Sequence, residues 1–334
     1  MNFNYKNAKG GFIIPHWNDN RLISKKYLLQ TLDAIYNQTD QNFIVILVDD
    51  SSPSDVKKQL YKIKENYDER LFLFVKHKNE GAGATRNNGI MEAYKMNIPI
   101  ILFNDQDDIS HNKRLEIVRK EFCSNDNYNV VYSTFKVIDE NSNLVDKKNI
   151  PEEIAEILNG HKQDIVEGEN AWLKIGLNKN YTNLTSSTSV KTEVAMLYPF
   201  PEKETCEDTN TWFRYGAHKG EFKYNPSIPS LYRVNISKNS TSSREQFKKF
   251  YEWMVKLDSE GFIEAMKIAI ENGSFHANGI KQRKILAGFY VKLGETLLIA
   301  KQYELALNQI SKAKKIDSNE TYKLLKKNKL DFFK

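Results

Sequence analysis

Five short apolar segments alternate with helical segments across the first 135 residues, and a chain built on that rhythm has few folds open to it. Residues 11–14 form a strand that stops at Pro15, and residues 22–37 carry helical spacing through Leu28, Leu29, Leu32 and Ile35. The run Phe43-Ile44-Val45-Ile46-Leu47-Val48 reads as a buried strand, and residues 54–65 as a helix with Ser54 as its cap. Further strands are expected at 71–75, 99–103 and 130–135. Helices at 84–96, and after Ser110 through Leu115, Val118 and Phe122, separate them. This alternation predicts an α/β fold: a mostly parallel sheet with helices on both faces. Ligands of such sheets bind beyond the carboxyl ends of the strands. Three strands here run into His16-Trp17-Asn18, Asp49-Asp50-Ser51-Ser52 and Asn104-Asp105-Gln106-Asp107-Asp108, so three polar clusters converge on one rim.

The second half is less regular. Helices are expected at 151–158, 168–175 and 207–215, and a strand at 229–234. The polar run 235–243 reads as a loop and a boundary, dividing the chain into 1–243 and an all-helical region over 244–334. In that region Tyr290, Leu293, Gly294, Leu297, Ala306, Ile310 and Ala313 have the spacing of one tetratricopeptide-like hairpin. No second copy precedes it. A lone hairpin must pack on the rest of its chain or on a second subunit.

A hydrophobic share of 40% with 12% aromatics supplies a full core and excludes disorder. The apolar runs fall far short of the ~20 residues of a membrane helix. Residues 1–9 are polar and 11–15 too short for a signal-peptide core, which points to a soluble, cytoplasmic protein. Cys123 and Cys206 form no zinc or disulfide pattern. The net charge is +6, but residues 281–334 carry +8 and the rest −2. Such a tail suits an acidic partner or an anionic membrane surface, or is simply a solvated lysine-rich face. Nucleic acid is disfavoured, because residues 323–329 lack interleaved aromatic groups.

Which residues can carry chemistry? Carboxylates two apart at a strand end, as in Asp105-Gln106-Asp107, can take a ribose hydroxyl and a divalent cation such as Mg²⁺ or Mn²⁺. The plainer reading is a helix-capping loop, with Asp108 and Ser110 as caps. Asp50 can accept from a nucleobase imide, or serve only as a turn residue. Gly81-x-Gly83-x-x-Arg86 lacks the third glycine of a dinucleotide loop, and no Walker-type loop exists. Arg86 can reach a nucleotide or pair an acid such as Asp105. Asp208, at the start of the 207–215 helix, is either a cap or a general base, and the helix dipole would keep it ionised. The six histidines show no metal-binding spacing, and only His16 stands at a strand end.

In this order the fragments resemble the family 2 glycosyltransferases of the GT-A fold over residues 12–243. Phe12-Ile13-Ile14-Pro15-His16-Trp17-Asn18 is similar to that family's opening strand, and Val48-Asp49-Asp50-Ser51-Ser52 follows in place. Asn79-Glu80-Gly81 with Thr85-Arg86-Asn87-Asn88-Gly89 resembles its Ala-Arg-Asn-x-Gly helix start. Asp105-Gln106-Asp107-Asp108 stands where its Asp-x-Asp signature belongs. Glu207-Asp208 resembles the later Glu-Asp motif, and Leu231-Tyr232-Arg233 the closing strand.

The resemblance implies a GT-A catalytic domain over 1–243, an inverting transfer from a nucleotide sugar, and a divalent cation, Mn²⁺ or Mg²⁺. It implies that Pro15 and Trp17 line the nucleobase, Asp50 accepts from it, Arg86 sits nearby and Asp105 faces the ribose. The same motifs put His16, Asn18, Asn79 and Asn104 among the nucleotide-binding residues. Asp107 would hold the metal, and Asp208 would be the base. The sequence departs from the family's pattern where His16 replaces a small hydroxyl residue, Asn104 an apolar one, and Asn235 a frequent His. A UDP-linked donor and a glycan, lipid-linked or protein acceptor follow from the resemblance, with loops such as 182–191 setting specificity. The C-terminal helices are expected to carry self-association or a protein partner, and the basic tail peripheral contact with the inner face of the membrane. Two other readings compete: a sugar nucleotidyltransferase, whose glycine-rich phosphate loop is absent, and a non-catalytic scaffold that recruits partners through its helical end.

Overall fold

The structure, a computed structural model, describes residues 7–19, 22–178, 183–203, 205–234 and 249–330. Strands β1 (Gly10–His16), β2 (Phe43–Asp49), β3 (Leu71–Val75) and β4 (Ile100–Phe103) lie parallel in the order β3-β2-β1-β4. Helices α1 (Leu22–Tyr36), α2 (Ser54–Glu65), α3 (Gly81–Lys95) and α4 (Arg114–Ser124) follow them in turn. The pleat of β2 shows why the run is apolar throughout. Phe43, Val45 and Leu47 join Leu32, Leu60 and Leu115 of α1, α2 and α4 in one core. Ile44, Ile46 and Val48 join Ile90 and Ala93 of α3 in the other. Ser54 opens α2 without capping it, since Pro53 holds the cap position and no side chain bonds there.

Beyond β4 the sheet becomes mixed. Strands β5 (Tyr128–Tyr132), β7 (Gly168–Glu169), β8 (Thr188–Lys191) and β9 (Glu221–Tyr224) complete it, and β6 (Phe135–Ile138) and β10 (Ser230–Arg233) lie outside it. The eight-stranded order is β3-β2-β1-β4-β8-β5-β9-β7, with β10 and β6 paired separately. Strand β8 runs antiparallel to both neighbours. It corrects the expected specificity loop at 182–191. Residues 188–191 are a central strand, and Thr182 lies outside the described residues. Their Thr-Ser-Val-Lys sequence gives no apolar run, and the buried Thr188 hydroxyl is satisfied locally by Asn183 and the Leu184 carbonyl. The strand expected at 130–135 is broken into β5 and β6, and the helix expected at 168–175 begins only after β7.

Helices α5 (Glu152–Gln163), α6 (Ala171–Leu177), α7 (Thr192–Leu197) and α8 (Glu207–Ala217) cover this half, and α9 (Phe250–Glu271), α10 (Gly279–Ile299), α11 (Tyr303–Ile316) and α12 (Ser318–Lys327) end it. The polar run 235–243 lies outside the described residues. Phe262 of α9 stacks on Phe289 of α10 at 4.2 Å between centroids and meets Phe213 of α8 edge-on. Leu293, Leu297, Ala306 and Ile310 of the α10–α11 hairpin share one core with Trp172, Trp212 and Phe262. The hairpin thus packs on its own chain. Within the hairpin, Gly294 lets α10 and α11 approach closely, since a Cβ there would stand 2.9 Å from Ile310 Cγ1. Among the described residues, no helix is long and apolar enough to cross a membrane.

Candidate active site

Parallel register brings the carboxyl ends of β1, β2 and β4 to one rim. His16 closes β1, and its Nδ1 lies 2.8 Å from Asp49 Oδ1. The Ser52 hydroxyl and N–H also donate to Asp49. Burial pushes the Asp49 carboxyl up, but the His16 and Ser52 hydrogen bonds outweigh it and hold the acid below its ordinary range. His16 and Asp49 are both buried, so they frame the rim rather than face out of it.

Asp50 accepts from Lys76 Nζ at 2.6 Å and from the Glu80 and Gly81 N–H groups, so it ties β2 to the start of α3. The Asn18 N–H donates to the Ser52 hydroxyl. Pro15 is half-buried, Asn79 is exposed, and the Trp17 ring is 45% exposed beside them. The Gln106 amide grips both the N–H and the carbonyl of Trp17, at 3.2 and 3.0 Å. Its ring therefore stands at the rim on a fixed backbone.

Arg86 joins the two halves of the site. Its guanidinium donates to Asp105 Oδ1 at 2.8 Å and to Glu207 Oε1 at 2.6 Å, with the Phe200 ring 5.4 Å away. Burial works against the charge, yet Asp105 and Glu207 raise the Arg86 pKa. Gly83 of the same helix lets the Pro201 carbonyl approach, since a Cβ there would lie 2.4 Å from it. Gly89 does the same toward β1, where a Cβ would lie 2.5 Å from Ile13 Cγ2, so these two glycines serve helix docking.

On the acidic loop, Asp107 is half-buried and its carboxylate bonds no other side chain among the described residues. Burial, then the charge of Asp105, pushes it up to about 6. Asp108 is no helix cap: its Oδ1 accepts the Arg233 N–H at 2.9 Å, and α4 begins only at Arg114. Asn104 is fully buried, with its amide spent on loop carbonyls.

Asp208 sits in the first turn of α8, next to Glu207. It accepts the Thr209 N–H at 2.9 Å and does not occupy the cap position, which is Cys206 with φ 64°. The helix dipole is not the dominant influence on it. Burial and the Glu207 charge push it up to about 6 against the Thr209 hydrogen bond and Arg86. Three neighbours escaped the sequence reading: Glu207 as the second partner of Arg86, Lys76 beneath Asp50, and Tyr232. The Tyr232 ring rests against Phe135, and Asp108, Asp107, Asp105 and Asp208 all act on its phenol, which burial already keeps protonated. Nothing local in Leu231-Tyr232-Arg233 signals that role, which follows from β10 lying beside the acidic loop.

Among the described residues no cluster of three or more metal-ligating side chains exists. A hard cation held by one or two carboxylates plus substrate phosphates needs no such cluster. The Asp107 carboxylate beside Asp105 fits that arrangement.

Residues 12–184 match the profile of glycosyl transferase family 2. An uncharacterized glycosyltransferase of Methanocaldococcus jannaschii is 32% identical over 121 residues, covering 36% of this chain and 41% of that protein. One from Rickettsia bellii is 32% identical over 144 residues, covering 43% and 19%. The chain thus spans less than half the length of these relatives. Among solved structures, S. aureus TarS 1–349 in complex with UDP-GlcNAc superposes with a TM-score of 0.55 at 17% identity, over 96% of this chain and 92% of that one. The mannosyltransferase PcManGT from Pyrobaculum calidifontis, in complex with GDP-Man and Mn²⁺, gives 0.54 at 14% identity, over 96% and 79%. At these identities the likeness establishes the fold.

Proposed function

Since the chain belongs to glycosyl transferase family 2, a family of nucleotide-sugar-dependent enzymes, we propose that it moves a sugar from a UDP-linked donor to a hydroxyl of a glycan, lipid-linked or protein acceptor, with inversion. The Arg86 bridge carries this reading. It locks Asp105 of the donor side to Glu207, the neighbour of Asp208, so that acids with different tasks share one cleft.

Pro15 and Trp17 would line the base, with His16, Asn18 and Asn79 around the nucleotide. Asp50, already anchored to Lys76, offers its remaining acceptor capacity to the base. Asp105 takes the ribose with its carboxylate fixed by Arg86. Asp107 holds the divalent cation, Mn²⁺ or Mg²⁺, which when bound offsets the charge of the departing diphosphate. Asp208 accepts the acceptor proton while that oxygen attacks the anomeric carbon from the face opposite the leaving group. The sugar–phosphate bond breaks, its electron pair leaves with the diphosphate, and the configuration inverts. An acid pushed up to about 6 remains mostly ionised at neutral pH and is a better base than one near 4. Asn104, fully buried, supports the acidic loop rather than contacting the nucleotide.

In this reading residues 1–243 form the catalytic domain. The helical region, with its tetratricopeptide-like hairpin, supports partner or self-association. The basic tail contacts an acidic partner or the inner membrane face in the cytoplasm. Incubation with a panel of nucleotide sugars, with and without Mn²⁺, tests the central claim. UDP release from UDP-sugars, dependent on cation, is expected; release of GDP or dTDP alone would overturn the donor assignment, and no release from any donor the catalytic reading.

A further inference from the structure

All four backbone carbonyls of the acidic loop, residues 105–108, are held from behind by side chains. Asn104 Nδ2 donates to the Asp105 and Asp108 carbonyls at 2.9 and 3.1 Å. The Thr31 hydroxyl of α1 lies 3.0 Å from the Gln106 carbonyl and 2.8 Å from that of Asp108, sharing its proton between them. Arg233 Nε donates to the Asp107 carbonyl at 2.9 Å, while the Arg233 backbone holds Asp108 Oδ1. Behind Asn104 lies Arg114, which donates to Asn104 Oδ1 at 3.4 Å and to the Thr188 carbonyl of β8 at 2.9 Å. Thr31 and Asn104 are 0% exposed and Arg114 1%, so none of the three can touch a ligand.

With the carbonyls turned inward, the carboxylates of Asp105 and Asp107 are left for the cleft. Such crowding of like charge favours a splayed loop unless something opposes it. Among the described residues Arg114 forms no ion pair, although a buried cation without a counter-charge is costly. Burial pushes the Arg114 guanidinium down to about 9, and the charges of Asp108 and Asp105 oppose this only in part.

We propose that Thr31, Asn104, Arg114 and Arg233 are positioning residues that set the acidic loop in its working shape before cation or nucleotide arrives, with Arg114 acting through Asn104. The assignment accounts for the polar Asn104 where an apolar residue is the rule. It rests on the glycosyltransferase reading only for the purpose of the loop. A loop ordered in advance leaves less entropy to be lost when the cation binds.

Thr31→Val and Asn104→Leu keep size while removing the donors, and Thr31→Ser restores one. Amide hydrogen exchange on the ligand-free chain should show residues 105–109 opening roughly fivefold to tenfold faster in Thr31→Val and Asn104→Leu, the loss expected per hydrogen bond. By calorimetry, the Mn²⁺ concentration for half-maximal UDP binding should rise by about the same factor, with uridine affinity unchanged. Thr31→Ser should return both to wild-type values. Wild-type exchange and a wild-type Mn²⁺ midpoint in both variants would overturn the proposal. If the wild-type chain shows no cation-dependent UDP binding, the donor and cation assignments fall, and the exchange measurement alone decides whether the loop is preset.

Discussion

Replacing Asp208 with Asn should cost activity and raise stability at once. The two effects have one cause. Burial and Glu207 lift this carboxyl from 3.8 to about 6, so the folded chain holds its charged form at a disadvantage above that pH. A shift of that size corresponds to about 3 kcal/mol for a fully enclosed group. The side chain is only half-buried, and solvent screening reduces this to about 1–2 kcal/mol. The folded state binds the proton more tightly than the unfolded one between about pH 4 and 6. Wild-type stability therefore falls as pH rises through that window and is flat above it. The amide introduced by Asp208→Asn cannot ionise, so the variant should be the more stable protein at pH 7–8, with its advantage shrinking toward pH 4. That amide's carbonyl still accepts the Thr209 N–H, so the first turn of α8 is kept. Donor affinity should stay near wild type while the transfer rate falls by about 10²–10⁴. The assays are urea unfolding across pH 4–8, calorimetry with UDP, and initial rates. A near-native transfer rate in Asp208→Asn would refute the base assignment, whatever happens to stability.

Arg86→Met should destabilise the chain by about 3–5 kcal/mol, because Asp105 and Glu207 lose their shared buried partner; chemical denaturation measures this, and a loss below about 1 kcal/mol would show the bridge to be ornamental. Asp50→Ala should lower stability even without nucleotide, since it leaves two N–H groups at the start of α3 unpaired and takes the nearer of the two acidic partners from Lys76, and thermal melts of the ligand-free protein check it. Chelation with EDTA should abolish transfer, and Asp107→Ala should weaken UDP binding in Mn²⁺ but not in its absence. Truncation after residue 243 should leave an aggregating, poorly folded product by light scattering and circular dichroism, because it uncovers Trp172 and Phe213; a soluble, cooperatively melting fragment would contradict that.

The strand ends were readable because their signals are local. Six apolar residues from Phe43 to Val48 followed by two acids can hardly be anything but a buried strand meeting a polar edge. The same holds for Asp105, Asp107 and Asp208, which motif order alone brings together. What stayed hidden depends on distant partners. Nothing in Thr188-Ser189-Val190-Lys191 announces a central strand, since its burial follows from β4 and β5 on either side. Arg86 offered two readings, and only the fold shows that Glu207, 121 positions away, takes its other half. The dipole argument for Asp208 weighed one turn of helix and missed the larger effect of what covers it. Asn104 looked like a ligand contact because it borders a ligand motif, yet the pleat turns it inward.

Asn210 lies two residues past Asp208, and its amide donates to the Leu257 carbonyl of α9 at 2.7 Å. Gly261, one turn farther along α9, has no room for even a methyl group, because a Cβ would stand 2.7 Å from that same amide. Anyone transplanting the C-terminal helices onto a related enzyme inherits this joint. A graft cut at residue 243 would set a foreign α9 against Asn210, and any side chain at the position of Gly261 would push on the helix that carries Asp208. The C-terminal helices are therefore coupled directly to the helix that carries Asp208, and chimeras cut at residue 243 should lose activity unless the graft keeps a glycine at position 261.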